Sequence, residues 1–313
     1  MNKTLTLVAM ALALSTNAFA WPDKTITLVV PFPAGGATDA LARTLTPKLQ
    51  EKLKQNVIVD NNAGATGTIG AGFVKRAPAD GYTLLVTSLG PLVIAPYLLA
   101  KVPYEASKDF DYLTVAVQAP NVLVVPASSP YKTMAELIAA EKANPGKLTF
   151  ASAGTGTSDH LSAELFWLQS GTSGLHVPYK GAAPAITDLL GGQVDAAFQN
   201  INNVLPHITA GKLRVLAIAA PKRSPLLPNV PTLTESGVKD ADATSWQGVV
   251  APKGLPPAVK AQIHAALMDA LADPAVKQKF AEVGFEMVAN TPEQFAAYQA
   301  SEAARWKKLI ETR

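Results

Sequence analysis

Two short segments carry the residues best suited to hold a charged ligand: Ala34-Gly35-Gly36-Ala37-Thr38-Asp39 and Ala153-Gly154-Thr155-Gly156-Thr157-Ser158-Asp159. Each follows a strand-like apolar run and leads into a helical pattern. Glycine lets backbone amides come close to a ligand, and a helix start exposes about four unpaired N–H groups with roughly half a positive charge. Each loop is therefore a candidate anion cradle, and two of them suggest a carboxylate held in a cleft. A plainer role is equally open, in which glycine makes the turns and Thr38, Asp39, Thr157 or Ser158 caps the helices. Asp39 would repel a bound carboxylate unless helix dipole, hydrogen bonds or water intervene, and its i,i+4 spacing from Arg43 fits an ion pair. Neither loop is a nucleotide fingerprint: the first lacks the third glycine of G-x-G-x-x-G, the second has Asp159 in that place, and no G-K-[ST] follows.

Other candidates for chemistry are sparse. His160, His176, His207 and His264 have no partner at metal-ligand spacing, and the chain has no Cys, so no metal site, cofactor thiolate or disulfide is expected. Ser152 and His160 lie close enough in sequence to raise an exported serine hydrolase as an alternative, yet no G-x-S-x-G elbow holds the nucleophile. His160 reads more simply as a first-turn residue lining the cleft or packing against it. Gln199, Asn200, Asn202 and Asn203 cluster just after a strand ending at Phe198, where α/β sheets place ligands, and a polar turn explains them equally well. Tyr179 and Trp246 are aromatic residues that suit either a ligand wall or a core.

The elements that must position these residues alternate between strand and helix. Thr25–Val30 reads as a buried strand entering the first loop, and apolar residues at 40, 41, 45, 49 and 53 mark one face of a helix over 38–54. Strands follow at 57–59 and, after the Asp80-Gly81 turn signal, at 82–87. The pattern restarts with a strand at 122–125, a helix at 133–143, a strand at 148–151, a helix at 158–169, the segment 176–179, a helix at 184–190, and strands at 195–198 and 213–218. A Pro-dense span from Pro221 to Pro231 reads as a crossover, followed by a strand at 248–251 and helices near 257–271, 274–283 and 292–310. Such alternation predicts an α/β fold with mostly parallel strands, arranged as two sheets.

With 313 residues, 48% hydrophobic and 16% charged, the chain has enough apolar material for two domains, which excludes disorder and small stapled scaffolds. Lys and Arg number 27 against 24 Asp and Glu, so there is no basic field for nucleic acid or anionic lipid. Lys3, the apolar run Leu5–Leu14 and Ala18-Phe19-Ala20 form an export signal over residues 1–20, cleaved after Ala20. The run is too short to span a bilayer, which takes about 20 apolar residues.

Taken together, several motifs resemble the Bug family, the extracytoplasmic solute receptors of tripartite tricarboxylate transporters. They are Pro31–Gly36 with Asp39 and Ala42-Arg43; Ala63-Gly64-Ala65 with Gly67 and Ile69-Gly70; Ala79–Leu85; Gly156-Thr157 with His160-Leu161; His176–Gly181; Asp188–Asp195; and Pro206-His207-Ile208 with Ala210–Arg214. Asp60-Asn61-Asn62-Ala63-Gly64 departs from the pattern, since the family usually has Arg-Pro before the glycine. The resemblance implies a type II-like periplasmic-binding-protein fold, with two α/β lobes closing around a cleft on a small carboxylated solute such as an organic, amino or aromatic acid. It implies no reaction and no cofactor. It divides the mature chain into a lobe of residues 21–122 plus 222–313 and a lobe of 123–221, with hinge strands near 122 and 222. The family grips one carboxylate through backbone amides, hydroxyls and two bridging waters. Carried onto this chain, that implies Phe32, Gly35, Gly36, Thr38 and Asp39 in one lobe, and Ser152, Gly156 and Thr157 in the other, with His160 and Tyr179 beside them. Ser88, Leu89, Asn200, Asn202 and Trp246 are the positions expected to read the ligand's far end. A periplasmic monomer handing its ligand to the transporter's membrane components is implied, with a membrane sensor kinase as the alternative partner. Lys180 and Arg214 are the cations able to meet a second carboxylate, although each also suits a solvated surface.

Overall fold

The computed structural model describes residues 21–311, and the expected export signal lies outside them. Strand β1 (Ile26–Val30) pairs in parallel with β2 (Val57–Asn61) and β3 (Thr83–Ser88). Helix α1 (Ala37–Leu53) crosses between β1 and β2, and α2 (Thr68–Arg76) between β2 and β3. Strand β4 (Phe110–Pro126) follows, with α3 (Met134–Ala143), β5 (Thr149–Ser152), α4 (Ser158–Ser170), β6 (Leu175–Pro178), α5 (Ala182–Leu190), β7 (Ala196–Asn200), α6 (Ile201–Thr209) and β8 (Leu213–Ala219) completing the second lobe. The chain returns through β9 (Thr244–Pro252), α7 (Pro257–Ala272), α8 (Pro274–Val283), β10 (Glu286–Met287) and α9 (Pro292–Glu311).

Strand β4 belongs to both sheets. Phe110 to Pro120 pair antiparallel with β9, whereas Asn121 to Pro126 pair with β7 and β8. Register shifts at Tyr112/Thr114 and Val115/Val117 bend the strand before the changeover, as bulges do. In the first lobe the sheet continues from β9 to β3 and on through β1 to β2; in the second, from β7 to β5 and β6. The strand partners change at Pro120–Asn121 and again between the end of β8 at Ala219 and the start of β9 at Thr244.

Strand alternation divides the interior into two apolar layers. Leu28, Leu84, Val86, Val249 and Ala251 face α1 and α7 on one side. Val29, Leu85 and Val250 face the other, with Trp246, Phe295 and Trp306. Period two therefore sends every second residue of β9 to the same layer. Phe295 of α9 meets Tyr112 and Trp246 edge to face, with ring centroids 4.9 and 5.4 Å apart. The long C-terminal helix thereby packs against both β4 and β9.

Several stretches exceed what the sequence patterns indicated, among them α2, the short helical segments at 65–67, 90–98 and 106–109, residues 110–121 of β4, α6 and β10. Residues 201–209 contain Pro206, which removes an interior donor, yet they form a helix, and Asn202 and Asn203 lie in its first turn.

At Gly248 of β9 an added Cβ would lie 2.8 Å from the Phe295 ring and 2.8 Å from the Thr114 carbonyl. Both neighbours are fully buried. Gly248→Ala is therefore expected to destabilise the protein by about 1–3 kcal/mol through overpacking. A lower urea midpoint with an unchanged slope is the readout.

Candidate ligand site

The first loop is locked by Asp39. Only 3% of this residue is exposed. Its Oδ2 accepts from the Gly35 amide at 3.0 Å and from Arg43 Nε at 2.9 Å, while Oδ1 accepts from Asn61 Nδ2 at 2.9 Å. Asn61 also donates to the Phe32 carbonyl at 3.0 Å, so one carboxylate ties together the β1 loop, α1 and the end of β2. Burial alone would raise the Asp39 pKa, but Arg43, the Gly35 amide and Asn61 together hold it below the usual range. Its charge is answered inside the lobe by Arg43, Asn61 and the Gly35 amide, and none of these three lines the inner cavity.

The second loop repeats this design with different chemistry. Asp159 Oδ2 accepts from the Ala153 amide and from Gln199 Nε2, each at 3.1 Å, and Ser158 Oγ donates to Oδ1 at 3.3 Å. Burial pushes its pKa up to about 6, and these neutral donors only partly offset it. Beneath the loop, His160 and His176 stack with centroids 4.1 Å apart. His160 Nδ1 accepts from the Gly156 amide at 3.1 Å, and its Nε2 lies 3.4 Å from Glu164. His176 Nε2 lies 2.7 Å from Ser152 Oγ, and burial with His160 alongside lowers the His176 pKa to about 4. Ser152 is 1% exposed, and its hydroxyl pairs with His176 rather than with the His160 of the Ser152–His160 hydrolase alternative.

Between the lobes lie two adjoining cavities. The inner one, about 60 Å³, is lined by residues of both loops together with Ser88, Gly181, Ala182, Asn200, Asn203, Ser245 and Gln247. At roughly 10–15 Å³ per water it has room for a carboxylate group and the atoms beside it. The outer one, about 560 Å³, opens past Thr66, Tyr179 and Lys180. Gly36, Thr157, Gly181 and Asn200 are the N-cap residues of α1, α4, α5 and α6, and all four line the inner cavity. None of them places its side chain on the helix it caps. By contrast Thr133 and Asp273, away from the cleft, cap α3 and α8 in the usual way. Four helix starts thus direct partial positive charge and unsatisfied N–H groups at one small space. Among the described residues no Lys, Arg or His lines the inner cavity, and Lys180 is the one cation on the outer wall.

The lobes touch across this space. Thr66 Oγ donates to the Thr155 carbonyl at 2.7 Å. Thr66 adopts a left-handed conformation, φ 57° and ψ 28°, that places its hydroxyl there. Gly156, at φ 78°, lies directly beneath, where a Cβ would come within 2.8 Å of the Thr66 methyl.

Of the residues singled out from the sequence, Phe32, Gly36, Thr38, Ser88, Thr157 and Asn200 line the inner cavity and Tyr179 the outer. Gly35, Asp39, Ser152, Gly156 and His160 stand behind it as the framework of the two loops. Leu89 and Trp246 are buried in the opposite apolar layer. The cause at Trp246 is strand alternation: Ser245 and Gln247 face the cavity and the indole between them points away. A period-two reading of β9 would have found both. Arg214 donates to the carbonyls of Ala127, Ser129 and Tyr131, away from the cavities. Tyr179 donates its hydroxyl to Asp188 at 2.6 Å, which also pushes its pKa up to about 12.

The carboxylates of the two loops give opposite pH signatures. A depressed folded-state pKa contributes stability above the unfolded value that is lost as pH falls, so Asp39→Asn should destabilise by about 2 kcal/mol near neutrality. The gap from wild type should close as pH drops below about 4. Asp159, with its raised pKa, contributes in the opposite sense, and stability should decline as pH rises from about 4 to 6. Urea titrations across this range measure both.

Residues 41–313 match the model of the tripartite tricarboxylate transporter family receptor. The chain is 38% identical over 318 residues to the protein BugT of Bordetella pertussis, covering 99% of this chain and 98% of that one. Among solved structures, Rpa4515 of R. palustris with adipate superposes with TM-score 0.90 at 34% identity, covering 93% of this chain and 98% of the other. MatC of Rhodopseudomonas palustris with bound malate gives 0.88 at 32%, covering 93% and 100%. The chain therefore belongs to the Bug family of tripartite tricarboxylate transporter receptors and has their two-lobed periplasmic-binding-protein fold.

Proposed function

We propose that this protein is an exported periplasmic receptor that closes its two lobes on a small carboxylated solute and delivers it to the membrane components of a tripartite tricarboxylate transporter. The observation that carries this reading is the convergence of four helix N-termini, none capped by its own N-cap side chain, on one cavity. Such termini favour an anion and supply N–H donors without a fixed cation. Relatives of similar fold hold adipate and malate, both carboxylates, which supports the same class here. A ligand that touches both lobes binds the closed form better and shifts the population toward it. The Thr66–Thr155 contact and the Gly156 close approach belong to that closed form.

The test is thermal unfolding of residues 21–313 against acetate, lactate, succinate, L-malate, adipate, citrate, L-glutamate and benzoate, each beside its amide or ester, after stripping bound ligand by unfolding and refolding. At 100 times the dissociation constant a ligand adds about 2.7 kcal/mol, so an acid should raise the midpoint by several degrees while its neutral analogue does not. A flat panel would remove the carboxylate reading. Gly36 offers a clean variant, because a Cβ there has no neighbour within 4 Å. Gly36→Val should fold normally yet fill the cavity, abolishing the shift; wild-type binding in that variant would place the ligand elsewhere.

A further inference from the structure

On the reading that a carboxylate occupies the inner cavity, we propose that its binding brings in one proton, which Asp159 takes up. Asp159 is the one carboxylate lining that cavity among the described residues, and it is 3% exposed. Its partners are all neutral: the Ala153 amide, Gln199 Nε2 and Ser158 Oγ. Asp39, in the matching position of the other loop, has Arg43 and Asn61 in addition to its loop amide. The two lobes therefore present one carboxylate with a built-in counter-charge and one without. An anionic ligand beside Asp159 creates two like charges in a water-poor space with no cation on its wall. Such a pair binds a proton, because one of the two pKa values is driven up.

The site is poised for this. Burial already lifts Asp159 to about 6, so near neutrality it is mostly ionised until the ligand's charge raises it further. The ligand arrives as an anion, the proton comes from solvent, and the complex holds one carboxylate and one carboxylic acid. Protonated Asp159 becomes a donor, with Ser158 Oγ beside it and Gln199 Oε1, buried without a partner, one amide rotation away. The surrounding titratable groups are otherwise engaged. On its own helix, His160 Nδ1 is held by the Gly156 amide and Nε2 lies against Glu164. On β6, His176 is held neutral by its pKa near 4, and beyond it Tyr179 is bonded to Asp188, with Lys180 exposed at the outer mouth. Across the cleft on α1, Asp39 is paired with Arg43.

Calorimetry with the panel acid that raises the midpoint most tests the proposal. In HEPES and in Tris at about pH 7.5 the heats should differ by close to the buffers' difference in ionisation enthalpy, corresponding to uptake of about one proton. The dissociation constant should rise about tenfold per pH unit between roughly 6.5 and 8. In Asp159→Asn the heats should coincide and the affinity should be flat with pH. Saturable binding to wild type with equal heats in both buffers overturns the proposal without any variant, as does proton uptake that persists in Asp159→Asn. If no acid of the panel binds wild type between about pH 5.5 and 8, the receptor reading itself falls and this inference with it.

Discussion

Seventeen residues of one strand, Phe110–Pro126, hydrogen-bond into both sheets, so a main-chain ladder sets the relation between the lobes. At the changeover sits Asn121, fully buried. Its Nδ2 donates to Ser162 Oγ at 2.8 Å on α4 and to the Ala243 carbonyl at 3.2 Å just before β9, and its Oδ1 accepts from Asn200 Nδ2, in the N-cap residue of α6. Asn200 in turn donates to Ser158 Oγ at 3.1 Å, and Ser158 donates to Asp159. A single polar chain therefore runs from the point where the strand changes sheets to the carboxylate at the cavity. Buried amides of this kind are demanding, since each must be satisfied, and for that reason they fix one geometry.

The site is built almost entirely without fixed cations. A lysine or arginine in the inner cavity would hold an anion strongly but would need desolvation, and it would persist as an unpaired charge whenever the lobes emptied. Helix termini avoid that difficulty, because their partial charges belong to the backbone and are hydrated when the cleft opens. What they demand is the absence of side-chain caps, and the chain meets this with Gly36, Gly181, a Thr157 whose hydroxyl donates back to the Gly154 carbonyl, and an Asn200 whose amide is engaged where β4 changes sheets. Local helix stability is given up at four places for the sake of one space.

Much of this architecture was legible in the sequence. Apolar periodicity located β1, α1, α3, α4 and the C-terminal helices to within a residue or two, because each buries one face against a sheet. The glycine loops were visible as candidate cradles, but composition could not separate a cradle from a turn; that distinction lies in where the caps point. The first half of β4 went unread because residues 110–121 are buried on both sides and lack alternation. α6 was hidden by Pro206 and by four polar residues that read as a turn. The choice of Trp246 over Ser245 and Gln247 followed side-chain size, whereas strand parity decides which residues see the cavity. Asp159 appeared only as part of a loop, since its lack of a countercharge depends on Gln199, forty residues away.

The hydroxyl of Thr66 on one lobe contacts the Thr155 carbonyl on the other directly. A contact of that kind rewards closure of the empty protein as well as the full one. Any device that reports occupancy by shape then has a noise floor, set by the fraction of empty molecules that are shut at a given moment. Moving such an equilibrium from about 1:99 to 99:1 takes a ligand preference of roughly ten-thousand-fold. The strength of one threonine hydroxyl thus bears on how sharply the closed shape reports an occupied cleft.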